Sequence, residues 1–195
     1  HAKVNLSLYI TGVRSDGYHI LDTVMQSVSL CDTVSIRENN DSKIKVISND
    51  TSLTDENNIC FAAAKAFYEK TGISLGVDIE VIKSIPVAAG LGGGSSDAAA
   101  VLRALNVMHN SPLNYDELCE IGLSLGADVP FCIKGGCARV KGIGEEIENI
   151  NRKMPLYLVL IKDTEKASTG EMYKEYDKIN KKAENRNNDM VKSLE

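Results

Sequence analysis

The sequence predicts an α+β protein built on a largely antiparallel sheet. Segments that alternate apolar and polar residues with period two recur along the chain, and helical segments with start and stop signals fall between them without a regular βαβ rhythm. Apolar residues make up 43% and charged residues 25%, the mixture of a globular chain able to bury a core.

The chain opens on a strand, because Val4, Leu6, Leu8 and Ile10 alternate with Asn5, Ser7 and Tyr9 and so share one face. Asp16-Gly17 marks a turn. Strands are predicted over residues 33–37, 43–48, 77–82 and 156–161, with a shorter run at 138–141. Ala content and apolar spacing predict a helix over 59–70, stopped by Gly72. A second helix is predicted over 96–110, with Ala99, Leu102 and Leu105 on its buried stripe. Asn114 with Glu117 forms the pattern of a capping box, opening a third helix that Gly126 closes. Ser168 with Glu171 repeats the pattern before a last helix.

The 22 basic and 27 acidic side chains leave a formal charge of −5 with no basic cluster, which argues against nucleic acid as a partner. No apolar run reaches the ~18 residues of a membrane span, and the N-terminus reads as a strand, not a signal peptide. The five cysteines show no C-x-x-C spacing, so neither a disulfide framework nor a zinc site is expected. They are expected to be small apolar fillers in a reducing cytoplasm. The segment 162–195 holds 16 charged residues, eight of each sign, and is expected to be a solvated helix face whose end, near 185–189, has no core of its own. The expected division is a first domain over 1–152 and the start of a second over 153–195.

The stretch from Pro86 to Ala100, Pro-Val-Ala-Ala-Gly-Leu-Gly-Gly-Gly-Ser-Ser-Asp-Ala-Ala-Ala, is the most informative. Pro86 breaks a strand, and Gly90, Gly92, Gly93 and Gly94 lead into a helix at Ser95-Ser96. Glycine admits positive φ and lets bare N–H groups approach a ligand, while the helix behind adds donors and the positive end of its dipole. The combination is a phosphate cradle. It lacks the lysine of a P-loop, and serine stands at 95 where a dinucleotide fingerprint needs glycine.

Pro86-x3-Gly90-Leu91-Gly92-Gly93-Gly94-Ser95-Ser96-x-Ala98-Ala99 resembles the second motif of the GHMP kinases. Ala2-Lys3-Val4-Asn5-Leu6, Gly12-x-Arg14-x-Asp16-Gly17-Tyr18-His19, Leu125-Gly126-Ala127-Asp128-Val129-Pro130-Phe131 and Gly142-Ile143-Gly144-Glu145 resemble further segments of one branch, in the same order. The resemblance implies the GHMP fold, whose N-terminal domain is a ribosomal-protein-like two-layer sandwich. It implies ATP as phosphoryl donor, with Mg²⁺ held mainly by phosphate oxygens and no protein-built metal cage. The acceptor implied is a cytidine-diphosphate derivative of methylerythritol, phosphorylated at its 2-hydroxyl in the non-mevalonate route to isoprenoid precursors. The family's third glycine-rich motif has no counterpart here.

By the same resemblance Asp128 accepts the proton of the attacking hydroxyl, and Lys3 is its partner, countering charge as that proton leaves. Read alone, Asp128 is equally a helix-terminating loop residue and Lys3 a solvated strand end. Asn5, one pleat along from Lys3, would bind substrate. Tyr18 and His19, on the turn, would stack on the cytosine, and Tyr173 would close its other side or sit in the core. Asn58 and Lys83 match positions that border the adenine, and either could equally be an ordinary surface residue. Homoserine or mevalonate kinase chemistry is the alternative within the family, although neither substrate carries a base for the Asp-Gly-Tyr-His turn. A non-catalytic binding module of the same fold would need a basic face, yet residues 1–161 hold 14 basic against 19 acidic side chains.

Overall fold

The computed structural model describes residues 1–73, 75–162, 169–179 and 184–195. In chain order its elements are β1 (Lys3–Val13), β2 (His19–Ser27), β3 (Thr33–Asn39), β4 (Ile44–Ser48), α1 (Ile59–Thr71), β5 (Gly76–Ile82), α2 (Gly93–Met108), α3 (Tyr115–Leu125), α4 (Val129–Lys134), β6 (Cys137–Gly142), β7 (Glu146–Asn149), α5 (Thr169–Tyr176) and α6 (Asn187–Leu194). Strands β1-β2-β6-β7 form one sheet, antiparallel throughout. The second sheet runs β3-β5-β4, where β5 is antiparallel to β3 and parallel to β4. A parallel pair needs a crossover, and α1 supplies it.

The largest core lies between the second sheet and the helices. Val46, Val77, Ile79 and Val81 pack with Ala63 and Phe67 of α1 and Leu102 and Leu105 of α2. The helices begin and end where side chains can cap them. Asn58 accepts the Cys60 N–H at 2.9 Å, and Gly72 ends α1 in the left-handed region at φ 70°. Asn114 and Glu117 exchange two hydrogen bonds at 3.0 and 2.8 Å, completing the capping box of α3. On the first sheet Phe131 of α4 packs against Met25, Ala138 and Val140.

Several expectations are corrected. β2 was not anticipated as a strand, because Asp22–Gln26 is buried on both faces and shows no alternation. Residues 156–161 alternate as a strand should, yet form none: Tyr157, Val159 and Ile161 are 87–90% exposed, and among the described residues no strand pairs with them. The described part of 162–195 is largely exposed, as expected, but α6 docks by one face. Met190, Val191 and Leu194 of α6 pack on Val24, Cys137 and Ile150, and Asn187 is fully buried. Asn187 and Asn185 donate to Asp22 at 2.9 and 2.7 Å, beside two bonds from Arg139 at 2.8 and 2.7 Å. Hydrogen bonding to Arg139 holds the Asp22 carboxyl far below the usual carboxylate range. Cys31 is exposed, so only four of the five thiols are even partly buried. Ser168, expected to cap the last predicted helix, lies outside the described residues.

Candidate functional site

The glycine loop joins β5 to α2 and is tied to the start of the chain, since the Lys3 N–H donates to the Leu91 carbonyl at 2.8 Å. Gly90 and Gly92 hold φ of 74° and 68°. Gly92 is the N-cap of α2, and no side chain caps that terminus, so its first N–H donors remain available at the mouth of the site.

Period-two alternation in β1 puts Lys3 and Asn5 on one face, and both turn toward Asp128. Lys3 Nζ lies 3.1 Å from Asp128 Oδ2 and donates to Asn5 Oδ1 at 2.9 Å. Asn5 Nδ2 donates in turn to Thr23 Oγ1 at 2.8 Å, which fixes the amide's orientation. Asp128 is the N-cap of α4, yet its carboxylate accepts no bond from that helix and stays 30% exposed. The β6–β7 hairpin tip packs behind it: a Cβ on Gly144, whose φ is 122°, would run into the Ala127 carbonyl. The arrangement is a partly open carboxylate held against a buried ammonium, one loop away from the uncapped N–H groups that open α2.

These groups share a cavity of about 830 Å³ whose walls include Lys3, Asn5, Gly90, Gly92, Ser95, Asp128 and Ile143. Tyr18, His19, Tyr173 and Asp177 line it as well. Tyr18 is exposed at the rim, after the turn in which Arg14 N–H donates to the Tyr18 carbonyl at 2.8 Å. The rings of His19 and Tyr173, the residues expected to flank the cytosine, stack directly on each other, centroids 4.4 Å apart and 9° from parallel, so a base between them would require the rings to part. His19 Nε2 is also 2.9 Å from Asp177 Oδ1. Burial pushes the Tyr173 phenol up, and the Asp128 carboxylate adds to that.

Pro86, Leu91, Gly93, Gly94 and Ser96 belong to the loop without lining this cavity. The side chains of Asn58 and Lys83 are buried and engaged in the fold, so neither is an ordinary surface residue. Asn58 accepts from Cys60 and donates to the Leu53 carbonyl at 2.6 Å, while Lys83 is paired with Asp32 and Asp97. Sequence reasoning missed Asp32, Asp97 and Asp177, because each acquires its role from partners distant in the chain. Asp97 alone left a trace, as an acidic residue directly after the two serines of the loop.

The family described as GHMP kinases N terminal domain matches residues 58–136. The 4-diphosphocytidyl-2-C-methyl-D-erythritol kinase of Clostridium beijerinckii is 47% identical over 98% of this chain and 71% of its own length. Its counterpart in Clostridium tetani is 48% identical over 91% of this chain and 64% of its own. A solved 4-(cytidine 5'-diphospho)-2C-methyl-D-erythritol kinase aligns with a TM-score of 0.64 and 38% identity, over 75% of this chain and 52% of that one. A solved mevalonate kinase aligns with a TM-score of 0.68 over 99% of this chain and 68% of its own; at 18% identity it shows the fold alone. The chain thus spans between half and three quarters of these relatives' lengths.

Proposed function

Since the chain belongs to the 4-diphosphocytidyl-2-C-methyl-D-erythritol kinases, a branch of the GHMP kinases, we propose that it transfers the γ-phosphate of ATP to the 2-hydroxyl of 4-diphosphocytidyl-2-C-methyl-D-erythritol. One observation carries the reading: the Lys3–Asp128 contact of 3.1 Å opens into the same cavity as the glycine loop. The 2-hydroxyl gives its proton to Asp128 as its oxygen attacks the γ-phosphorus, and the bond to the β-phosphate oxygen breaks to release ADP. Lys3 stays beside the carboxylate and offsets charge during the transfer, and Asn5 orients the acceptor. Gly90, Gly92 and Ser95, with the N-terminus of α2, hold the phosphates.

Among the described residues no group of three His, Cys, Asp or Glu side chains could hold a metal; in this reading the ion comes with the nucleotide. Mg²⁺ bound in that way supplies charge neutralisation on the phosphate oxygens. In this reading residues 1–152 carry the nucleotide and the chemistry, residues 153–195 begin a second domain, and Tyr18, with the His19–Tyr173 pair, faces the cytidine. The reaction is cytoplasmic; no helix among the described residues is long and apolar enough to cross a membrane.

The test is ATP consumption with the cytidine-bearing acceptor against homoserine and mevalonate. Turnover with the first alone is expected, and a preference for either of the others would overturn the assignment.

A further inference from the structure

Beneath the glycine loop lies a buried charged group that this mechanism does not use. Lys83, just past β5, places Nζ 2.6 Å from Asp97 Oδ2 and in contact with the Asp32 carboxylate. The three side chains are only 9%, 5% and 2% exposed. Asp32 also accepts the N–H groups of Ser84 at 2.5 Å and Ile85 at 2.8 Å. The group therefore ties together the loop between β2 and β3, the exit of β5 and the start of α2. Asp97 sits four residues after Gly93, on the same face of α2. A Cβ on Gly93 would lie 3.2 Å from Lys83 Nζ, so the ammonium touches the loop from below.

Two carboxylates share one ammonium here. With all three ionised the group is net negative, the wrong sign beneath a seat for phosphates. It becomes neutral when one carboxyl holds a proton, and the surroundings of the two carboxyls decide which. Burial pushes the Asp97 carboxyl up to about 6, in spite of Lys83. Burial acts on Asp32 in the same sense, but Lys83 and the two backbone N–H groups hold it below its ordinary value. Of the other groups facing this place, Cys60 of α1 is pushed up to about 12 by burial, the His1 amino group donates to Ser96 Oγ at 2.9 Å, and the Lys3–Asp128 pair lies across the loop. All of these are common to wild type and an Asp97 variant, so they drop out of a comparison between the two.

We propose that Asp97 and Asp32 are positioning residues for the nucleotide, holding Lys83 under the glycine loop in a group that takes up a proton as the phosphates bind. The proposal rests on the kinase reading above. A polyphosphate over the loop disfavours the net negative form, so the proton is held more tightly in the complex than in the free protein. Nucleotide affinity therefore falls as pH rises through the midpoint of Asp97. Asparagine at 97 keeps an oxygen for Lys83 and leaves the group neutral around neutral pH, where Asp32 is ionised and Lys83 protonated.

The experiment is calorimetric titration of the protein with the non-hydrolysable analogue AMP-PNP and Mg²⁺, near neutral pH, in buffers of different ionisation enthalpy. Protons exchanged by the nucleotide itself are common to wild type and Asp97→Asn, so the difference between them isolates the buried group. Wild type is expected to take up more protons than the variant. Its KM for ATP should rise roughly three- to tenfold from about pH 6 to about pH 8 relative to the variant, since a pKa displaced by one unit is a tenfold change in affinity. The KM for the acceptor should not follow. A purely structural Asp97 would lower the Tm of the variant and leave proton uptake equal, which overturns the proposal. If the variant does not fold, the wild-type pH series decides alone, and a KM for ATP no more pH-dependent than that for the acceptor overturns it. Failure to bind AMP-PNP at all would remove the kinase reading as well, whereas binding without the proton difference removes this proposal alone.

Discussion

Replacing Gly92 by alanine tests whether the phosphate loop and the Lys3–Asp128 pair are one device. The perturbation has two parts. Gly92 sits at φ 68°, where an L-residue is strained by about 1–2 kcal/mol. Its new Cβ would also lie 2.8 Å from Lys3 Cγ and 3.1 Å from Cε, so the lysine stem must move. The head of that stem is held at 2.9 Å by Asn5 and 3.1 Å by Asp128. A charge-assisted hydrogen bond is worth about 1.5–3 kcal/mol, so losing one of these during the transfer lowers kcat by about ten- to a hundredfold. The backbone strain lowers Tm by roughly 2–8 °C in a domain of this size. Steady-state kinetics and thermal melts give both numbers, and repeating them in a Lys3→Met background separates the causes. Methionine keeps the stem but has no ammonium, so the Tm loss should persist while the additional kcat loss disappears. An undiminished kcat factor in that background would refute the coupling.

Asp128→Asn keeps the shape of the base without its proton affinity; kcat should fall by about 10²–10⁴-fold with AMP-PNP binding retained, and near-normal turnover would remove Asp128 from the chemistry. Arg139→Met strands the buried Asp22 carboxylate, which should cost about 3–5 kcal/mol in urea unfolding near neutral pH. Because Arg139 depresses the folded pKa of Asp22, the stabilisation is complete above the unfolded value of about 4 and is lost as pH falls below it. The variant should therefore lose less stability than wild type between about pH 5 and pH 3, and parallel curves would count against the pairing.

What was legible in the sequence is what neighbouring residues determine together. The glycine loop, the cap of α3 and the common face of Lys3 and Asn5 are each written within a few positions. The pairing of Lys3 with Asp128 was reached only through resemblance, since composition and spacing left both residues with ordinary alternatives. Illegible features depend on partners far along the chain. β2 is covered on both sides, so the alternation that betrays a half-buried strand is absent, and its buried Asp22 is acceptable only because Arg139 and Asn187 reach it. The same dependence hid the docking of the tail: charge counts gave its solvated face, but not the three apolar residues of α6 and the one asparagine that hold its other face. Residues 156–161 failed in the opposite sense: the pattern was read correctly, but a strand also requires a neighbour.

The ring pair at the acceptor end changes what stacking can contribute to selectivity. His19 and Tyr173 already satisfy each other, so in the proposed reading a cytosine that stacks on His19 displaces Tyr173 and exchanges one ring contact for another. The gain is then a difference between two stacks, smaller than the ~1–3 kcal/mol of a base on a free aromatic surface. Discrimination among acceptors is thereby shifted from the face of the base to its edge, where hydrogen-bonding groups differ between cytosine and other rings. The rate of arrival shifts as well. In the same reading it scales with the fraction of time the two rings stand apart, so a variant that loosens the pair should raise the acceptor's association rate.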